Sequence, residues 1–394
     1  MKCEWNSVSI GDLGTVITGK TPSTKNCKYW GGGTPFITPK DIQGTKHIFS
    51  TERQITETGM DSVKGCIIPS RAICVSCIGN IGYVGMTTTR SVSNQQINSI
   101  IVNRENNADY VYYLMKSLWM YFKSCEGQST TLSILNKSQF SKIEVIVPPL
   151  EIQKNIASIL SSIDDKIELN NKMNDNLEQQ AQAYFQELFV DNADPAWTLG
   201  TIIDLGTVVG GSTPSKSKPE YYTEDGIAWI TPKDLSINKA KFISHGENDI
   251  TELGLKNSSA SIMPEGTVLF SSRAPIGYIA IASGELTTNQ GFKSVVPKPE
   301  IGTAYVYYFL KHNLPVIEGM ASGSTFKEVS GSTMKNVPAV IPDTETLACF
   351  NDFCAPIFAQ QRILEEQNQS LAALRDCLLP KLMSGEIDVS GIQL

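Results

Sequence analysis

The sequence predicts an α+β protein in which one unit is written twice: a globular segment of short strands followed by a long helix, then both again. The two helices are expected to pair antiparallel as a coiled coil across a pseudo-two-fold axis. Three observations carry this expectation. Landmarks recur at an offset that drifts only from 192 to 195, two apolar seams share one register at an offset of 194, and the segments between the seams are dense in Gly, Pro, Thr and Ser. The expected boundaries are 1–147 for the first globular domain, 148–190 for the central helix and 191–196 for a linker. The second globular domain is expected over 197–341, and the distal helix and tail over 342–394.

The first globular segment opens at Trp5, and its landmarks return in order. Asp12-Leu13-Gly14 matches Asp204-Leu205-Gly206, Thr21-Pro22-Ser23 matches Thr213-Pro214-Ser215, and Ile37-Thr38-Pro39-Lys40-Asp41 matches Ile230-Thr231-Pro232-Lys233-Asp234. Asn94-Gln95 then matches Asn289-Gln290, the Tyr-Val-Tyr-Tyr run at 110–113 matches 305–308, and Ser129-Thr130 matches Ser324-Thr325. Short apolar runs at 72–78, 97–102, 267–270 and 294–296 read as strands, with one helix over 110–124 and its counterpart over 305–312. Each segment ends in proline, and Glu151 or Glu345 follows in the first helical turn, where a carboxylate meets the positive end of the helix dipole.

Stepping by four and three from Ile156 reaches Leu160, Ile163, Ile167, Asn170, Asn174, Leu177, Ala181, Tyr184 and Leu188. Adding 194 gives Phe350, Cys354, Ile357, Gln361, Leu364, Asn368, Leu371, Arg375, Leu378 and Leu382. At about 1.5 Å per residue such a helix is roughly 60 Å long, more than one domain buries. The chain then carries its own partner helix, and the polar seam residues would fix register at a cost in stability. The alternative is a seam that turns to another protein's helix.

Composition, with 41% hydrophobic and 19% charged residues, suits folded domains, and neither a leader nor an apolar run long enough to span a bilayer is expected. A cytoplasmic location follows as the expectation. Nine scattered cysteines then read as reduced core thiols. The net charge of −7 conceals a division: residues 1–147 hold 15 Lys/Arg against 10 Asp/Glu, and 197–341 hold 12 against 13. The acidic excess lies in the helical segments, at 3 against 9 over 148–196 and 3 against 8 over 342–394. Whole-chain charge is therefore a poor guide to an anionic partner.

No catalytic signature survives inspection. Residues 14–21 satisfy GxxxxGK[ST], but Pro22 follows at once without a helical period, and the position of Lys20 is taken by Ser212 in the second copy. Val147-Pro148-Pro149-Leu150 lacks the amide and aromatic that would hold a flipped base. Cys74 and Cys77 form a lone CxxC inside a strand-like run, and His47, His245 and His312 share no triad or ligand spacing. Neither a catalytic residue nor a metal site is expected.

What remains is loop chemistry suited to DNA, present twice. Lys20, Thr21, Ser23, Lys25 and Lys40, with Ser212, Thr213, Ser215, Lys216 and Lys233, could hold phosphate oxygens. Arg71, Asn80, Asn94 and Gln95, with Arg273, Asn289 and Gln290, could read base edges, since Arg pairs with guanine and Asn or Gln with adenine. The plainer alternative makes the Thr-Pro-Ser and Asn-Gln pairs turn and cap residues.

At this point the chain resembles the specificity subunits of type I restriction-modification enzymes along essentially its whole length. The resemblance is carried by the duplicated units with long helices, by Gly19 to Ser23 and Gly211 to Ser215, and by the ending Leu378-Leu379-Pro380-Lys381-Leu382-Met383-Ser384-Gly385-Glu386-Ile387. It implies that each globular unit is a target recognition domain reading one half of a split site in double-stranded DNA, with the coiled coil setting the spacer. It also implies two methyltransferase subunits docked on the helices and restriction subunits that join them. S-adenosylmethionine, ATP and Mg would then bind those partners and not this chain. Two departures matter: Ile78 stands where the second copy has Arg273, and Arg71 aligns with Gly266, so the two units should read different half-sites. The rival is a coiled-coil scaffold that assembles partners without reading DNA.

Overall fold

The computed structural model describes residues 5–42, 45–126, 134–273, 275–323 and 327–391; the Ser129-Thr130 and Ser324-Thr325 landmarks lie outside them. The chain divides into two compact units, Met1–Leu169 with Asn368–Leu394, and Asn170–Gln367. Both cut through the long helices, because the core of each lobe is completed by turns of both helices.

In the first unit a five-stranded sheet has the order Gly14–Thr18, Ile97–Val102, Ile73–Ser76, Val84–Thr87, His47–Ile48, antiparallel except for the last pair. Its middle strand, Ile-Cys-Val-Ser, is buried at every residue, which explains why the sequence there does not alternate. A four-stranded sheet, Arg53–Ile55, Trp30–Ile37, Ser91–Ser93, Ile67–Ile68, lies beside it in the chain's path. Asn6–Ser9 pairs with Glu144–Val147 and closes the lobe before the first long helix. The helix Ala108–Ser117 starts at Asn107, whose side chain accepts the Tyr110 N–H. It drives Tyr110, Tyr112 and Tyr113 wholly into the core.

The second unit repeats the topology. Its five-stranded sheet runs Gly206–Gly210, Lys293–Pro297, Val268–Ser272, Ile276–Ala282, Phe242–Ile243, and its four-stranded sheet runs Tyr222–Thr223, Asn248–Ile250, Ile227–Ile230, Thr287–Thr288. Thr198–Thr201 pairs with Pro338–Ile341 as the closing ribbon. Residues 14–21 are thus not a phosphate loop: Gly14–Thr18 is a sheet strand, and Gly19 donates to Ile97 O in continuation of that pairing.

The long helices are Leu150–Gln186, followed by one π turn over Glu187–Asp191, and Thr344–Met383. In the first unit Asn155 Nδ2 donates to Val389 O and Asp164 pairs with Arg375; in the second, Gln361 Nε2 donates to Asn174 O and Tyr184 packs on Phe353. Contacts rise along one helix as they fall along the other, so the pairing is antiparallel. None of the seam positions is exposed. Ile156 and Leu160 join Leu379 and Leu382 in the first core, and Ala181 joins Phe350, Cys354 and Ile357 in the second. The seam residues therefore serve the lobes as well as the opposite helix. Leu188 falls on the π turn, and Ile163, Ile167, Leu177, Leu364, Leu371 and Leu378 continue the covered stripe.

A buried, ion-paired lysine ties each lobe to the long helices. Lys46 pairs with Asp109 at 2.7 Å and donates to Ser161 Oγ at 2.8 Å. The corresponding Lys241 pairs with Glu178 and donates to Gln361 Oε1, while Lys311 joins Glu178 at 2.6 Å and the Tyr308 hydroxyl donates to the same carboxylate. Removing one member of such a buried pair costs about 3–5 kcal/mol because the other charge is stranded. Among the described residues, no helix is long and apolar enough to cross a membrane.

Candidate nucleic-acid interface

In each lobe the strand that starts at the glycine of Asp-Leu-Gly is followed by a glycine laid against the Asn-Gln turn, Gly19 or Gly211. A Cβ at Gly19 or Gly211 would collide with the carbonyl oxygen of Asn94 or Asn289, so only glycine permits this approach. The Thr-Pro-Ser loop follows, and its threonine closes on the turn: Thr21 Oγ1 donates to Gln95 Oε1 at 2.7 Å, and Thr213 Oγ1 donates to Gln290 Oε1. The clamp holds the glutamine oxygen and leaves the carboxamide N–H groups for another acceptor. Both glutamines are exposed.

Aromatic residues form the floor. Trp30 Nε1 donates to Ser23 O at 3.2 Å, Trp229 Nε1 donates to Ser212 O at 3.0 Å, and the Tyr222 hydroxyl donates to Pro214 O at 2.6 Å. Trp30 stands edge-on to Phe36, as Tyr222 does to Trp229. In the second lobe this construction bounds a cleft of about 700 Å³. Its wall brings together Thr213, Lys216, Lys233, Arg273, Asn289 and Gln290. Arg273 lies 3.6 Å from Glu328, which is also 3.8 Å from Lys293. Burial pushes the Lys293 ammonium down; Glu328 opposes the shift and Arg273 adds to it.

The other sequence-selected residues divide. Lys20, Ser23, Lys25 and Lys40 are exposed on the first lobe, and Lys233 pairs with Glu247 on the second. Ser215 Oγ shares a hydrogen bond with Ser217 Oγ, and Ser212 Oγ accepts the Ser259 N–H. Asn80 is exposed, and its carbonyl accepts Ser76 Oγ. Asn94 is 8% exposed, donates to Gln96 Oε1 and accepts the Gln96 N–H, which fixes the turn. Asn289 likewise accepts the Gly291 N–H while lining the cleft.

Arg71 is not brought to the clamp. It sits at φ 65°, the left-handed conformation that Gly266 supplies in the second lobe, and its guanidinium is 2.6 Å from Asp109. Burial would raise the Asp109 carboxyl, but Lys46 and Arg71 outweigh it and hold the group below the usual range. Sequence reasoning missed Trp30, Tyr222, Trp229 and Arg53, although aromatic residues flank both Thr-Pro-Ser loops at similar spacing. The Arg53 guanidinium lies 3.5 Å from the centre of the Trp30 ring.

Burial pushes the Cys74 and Cys77 thiols up to about 12, which disfavours the thiolates a metal needs. Among the described residues His47, Asp165 and Glu168 bring ligand atoms within 4.8 Å of one another. Both the ring Nδ1 and the backbone N–H of His47 are already engaged by Glu168, which makes this a brace between strand and helix.

A duplicated lobe that sets a hydroxyl-amide clamp over an aromatic floor, borne on paired long helices, defines a tandem recognition protein. The chain belongs to a known family of this kind: the family model for the Type I restriction modification DNA specificity domain matches residues 2–179 and again 196–373. It is similar to the MjaIX type I restriction enzyme specificity subunit of Methanocaldococcus jannaschii, at 42% identity over 191 residues, 46% of this chain and 44% of that one. Similarity to the HindI type I restriction enzyme specificity subunit of Haemophilus influenzae is 38% over 173 residues, 41% and 38% of the two chains. These matches span less than half the length of either relative. The crystal structure of the type I restriction-modification S subunit from M. genitalium shares the fold, with a TM-score of 0.61 at 16% identity over 97% of this chain and 96% of that one.

Proposed function

We propose that this chain is the site-choosing subunit of a type I restriction-modification complex, binding a bipartite site in double-stranded DNA with one half-site per lobe. The observation that carries this is the repeated clamp: Thr21 on Gln95 and Thr213 on Gln290, in matching frames whose surrounding side chains differ. Identical scaffolds with different linings suit two different half-sites. The exposed Lys20, Lys25 and Lys40 around the first clamp, and Lys216 and Lys233 around the second, supply phosphate contacts. The paired helices would set the spacer and dock two methyltransferase subunits, to which restriction subunits add. This chain carries no catalytic step; base flipping and methyl transfer, with S-adenosylmethionine, ATP and Mg, belong to those partners.

The test is long-read mapping of N6-methyladenine in host DNA with the gene intact, deleted, or with residues 1–147 exchanged for a foreign lobe. Deletion should erase one split motif, and exchange should alter only one of its halves. Methylation that persists without the chain would reject the reading and favour a scaffold.

A further inference from the structure

The four-stranded sheets allow the two recognition lobes to be superimposed in register, residue by residue. In the first, Phe36 stands opposite Arg53; in the second, Trp229 stands opposite Asn248. The pairing of Trp30 with Ile55, and of Tyr222 with Ile250, fixes the same correspondence independently. Arg53 and Asn248 therefore occupy one position of the scaffold, filled differently in each copy. Both are exposed, and Asn248 lines the cleft beside the Thr213 clamp.

Arg53 is also prepared for a planar ligand. Its guanidinium stacks on Trp30, which is itself held by Ser23 O and by its edge-on contact with Phe36 at 5.0 Å. Among the described residues the ion pairs that engage arginines use Arg71, Arg90, Arg273, Arg362 and Arg375, and none uses Arg53. Stacking fixes the plane of the fork while leaving its N–H edge available. Such a fork matches O6 and N7 of guanine, whereas an asparagine matches N6 and N7 of adenine.

We infer that Arg53 reads a guanine in the half-site of the first lobe, and that Asn248 reads an adenine at the corresponding place in the half-site of the second. The inference rests on the lobes being DNA readers. It replaces Arg71, whose guanidinium is committed to Asp109, as the guanine-reading arginine of the first lobe.

The test uses the whole chain with its native partner subunits, by the same methylation mapping, for wild type, Arg53→Ala, Arg53→Lys and Asn248→Arg. Lysine keeps the charge and the stem but lacks the fork, so it separates loss of reading from loss of folding. Both Arg53 variants should relax one guanine position in the half that responds to exchange of residues 1–147, with discrimination there falling roughly ten- to hundredfold. The other half should stay intact, and Asn248→Arg should alter one adenine position in that other half. Uniformly weaker methylation with both halves unchanged in Arg53→Ala, restored by Arg53→Lys, would mean a phosphate contact and overturn the inference. So would a change in the wrong half. If wild-type methylation does not depend on the chain, the DNA-reading function itself falls; if it does and Arg53→Lys keeps the motif, only the assignment of Arg53 falls.

Discussion

At Glu178 two ammonium groups meet one carboxylate inside the second unit. Burial alone would push the carboxyl up, but Lys241 and Lys311 outweigh it and hold it at about 2, against an ordinary value of 4.5. A folded value below the unfolded one means stability that is complete above about pH 4.5 and is lost as pH falls through about 2. Burial depresses Lys241 in spite of Glu178, an effect that acts on the alkaline side. Glu178→Gln should destabilise the second unit by roughly 3–5 kcal/mol at neutral pH and flatten its acid-side loss. Denaturant titrations from pH 7 to 2 read both, and an unaltered acid slope would remove Glu178 as the cause. Residue identity was the least legible level of the sequence. Thr21 with Gln95, and Thr213 with Gln290, could be singled out because the same polar pairs recur in both copies, and the structure brings each pair together. The partners of Arg71 and Asn94 were not legible, because a side chain that could pair with a base pairs as readily with a carboxylate or its own turn, as Arg71 does with Asp109 and Asn94 with Gln96. Arg53 went unnoticed because its stacking partner lies 23 positions earlier in the sequence and meets it only through strand pairing.

Among the elements, the long helices and several strands, such as Ile73–Ser76 and Ile97–Val102, were legible, and the pairing of the strands into sheets was not. A seam of period 3.5 is a local property, so Ile156 to Leu188 and Phe350 to Leu382 announced two helices before any contact was known. The strands are mostly two to five residues long, and Gly14–Thr18 finds its partner at Ile97–Val102, too far along the chain for any local pattern to register. The π turn that carries Leu188 has no signature in the sequence either. Asn174 exposes the compromise within the seam. Its backbone oxygen accepts from Gln361, yet its buried side-chain Oδ1 has no hydrogen-bond partner among the described residues. Asn174→Leu should raise the stability of the second unit by roughly 1–3 kcal/mol, the cost of a buried unsatisfied polar atom. Differential scanning calorimetry should show a higher transition for that unit; a lower one would mean that the asparagine contributes more to pairing than it costs.

For the whole molecule, duplication was the most legible feature, because six landmarks repeat within three residues of one offset. Charge was informative only after division: the first globular segment is basic, the second is nearly neutral, and the acidic excess lies on the helical segments. A spacer set by the helices makes a quantitative prediction. Removing one heptad from each long helix preserves the seam and shortens the pair by about 10 Å, on the order of three base pairs. Methylation mapping should find the half-motifs closer together, or no methylation where the partner subunits no longer assemble. Full methylation at unaltered spacing would reject the ruler.

The first unit is not contiguous: residues 1–169 are completed by 368–394, whereas the second unit is the single stretch 170–367. Leu379, Leu382 and Val389 fill the same core as Ile10, Tyr113 and Ile156. On the ribosome the first lobe must therefore wait, with its helix seam uncovered, while the second is synthesised and can close. The half of the protein that is made first is the half that can finish folding last, and its assembly reports that translation has reached the end of the second helix.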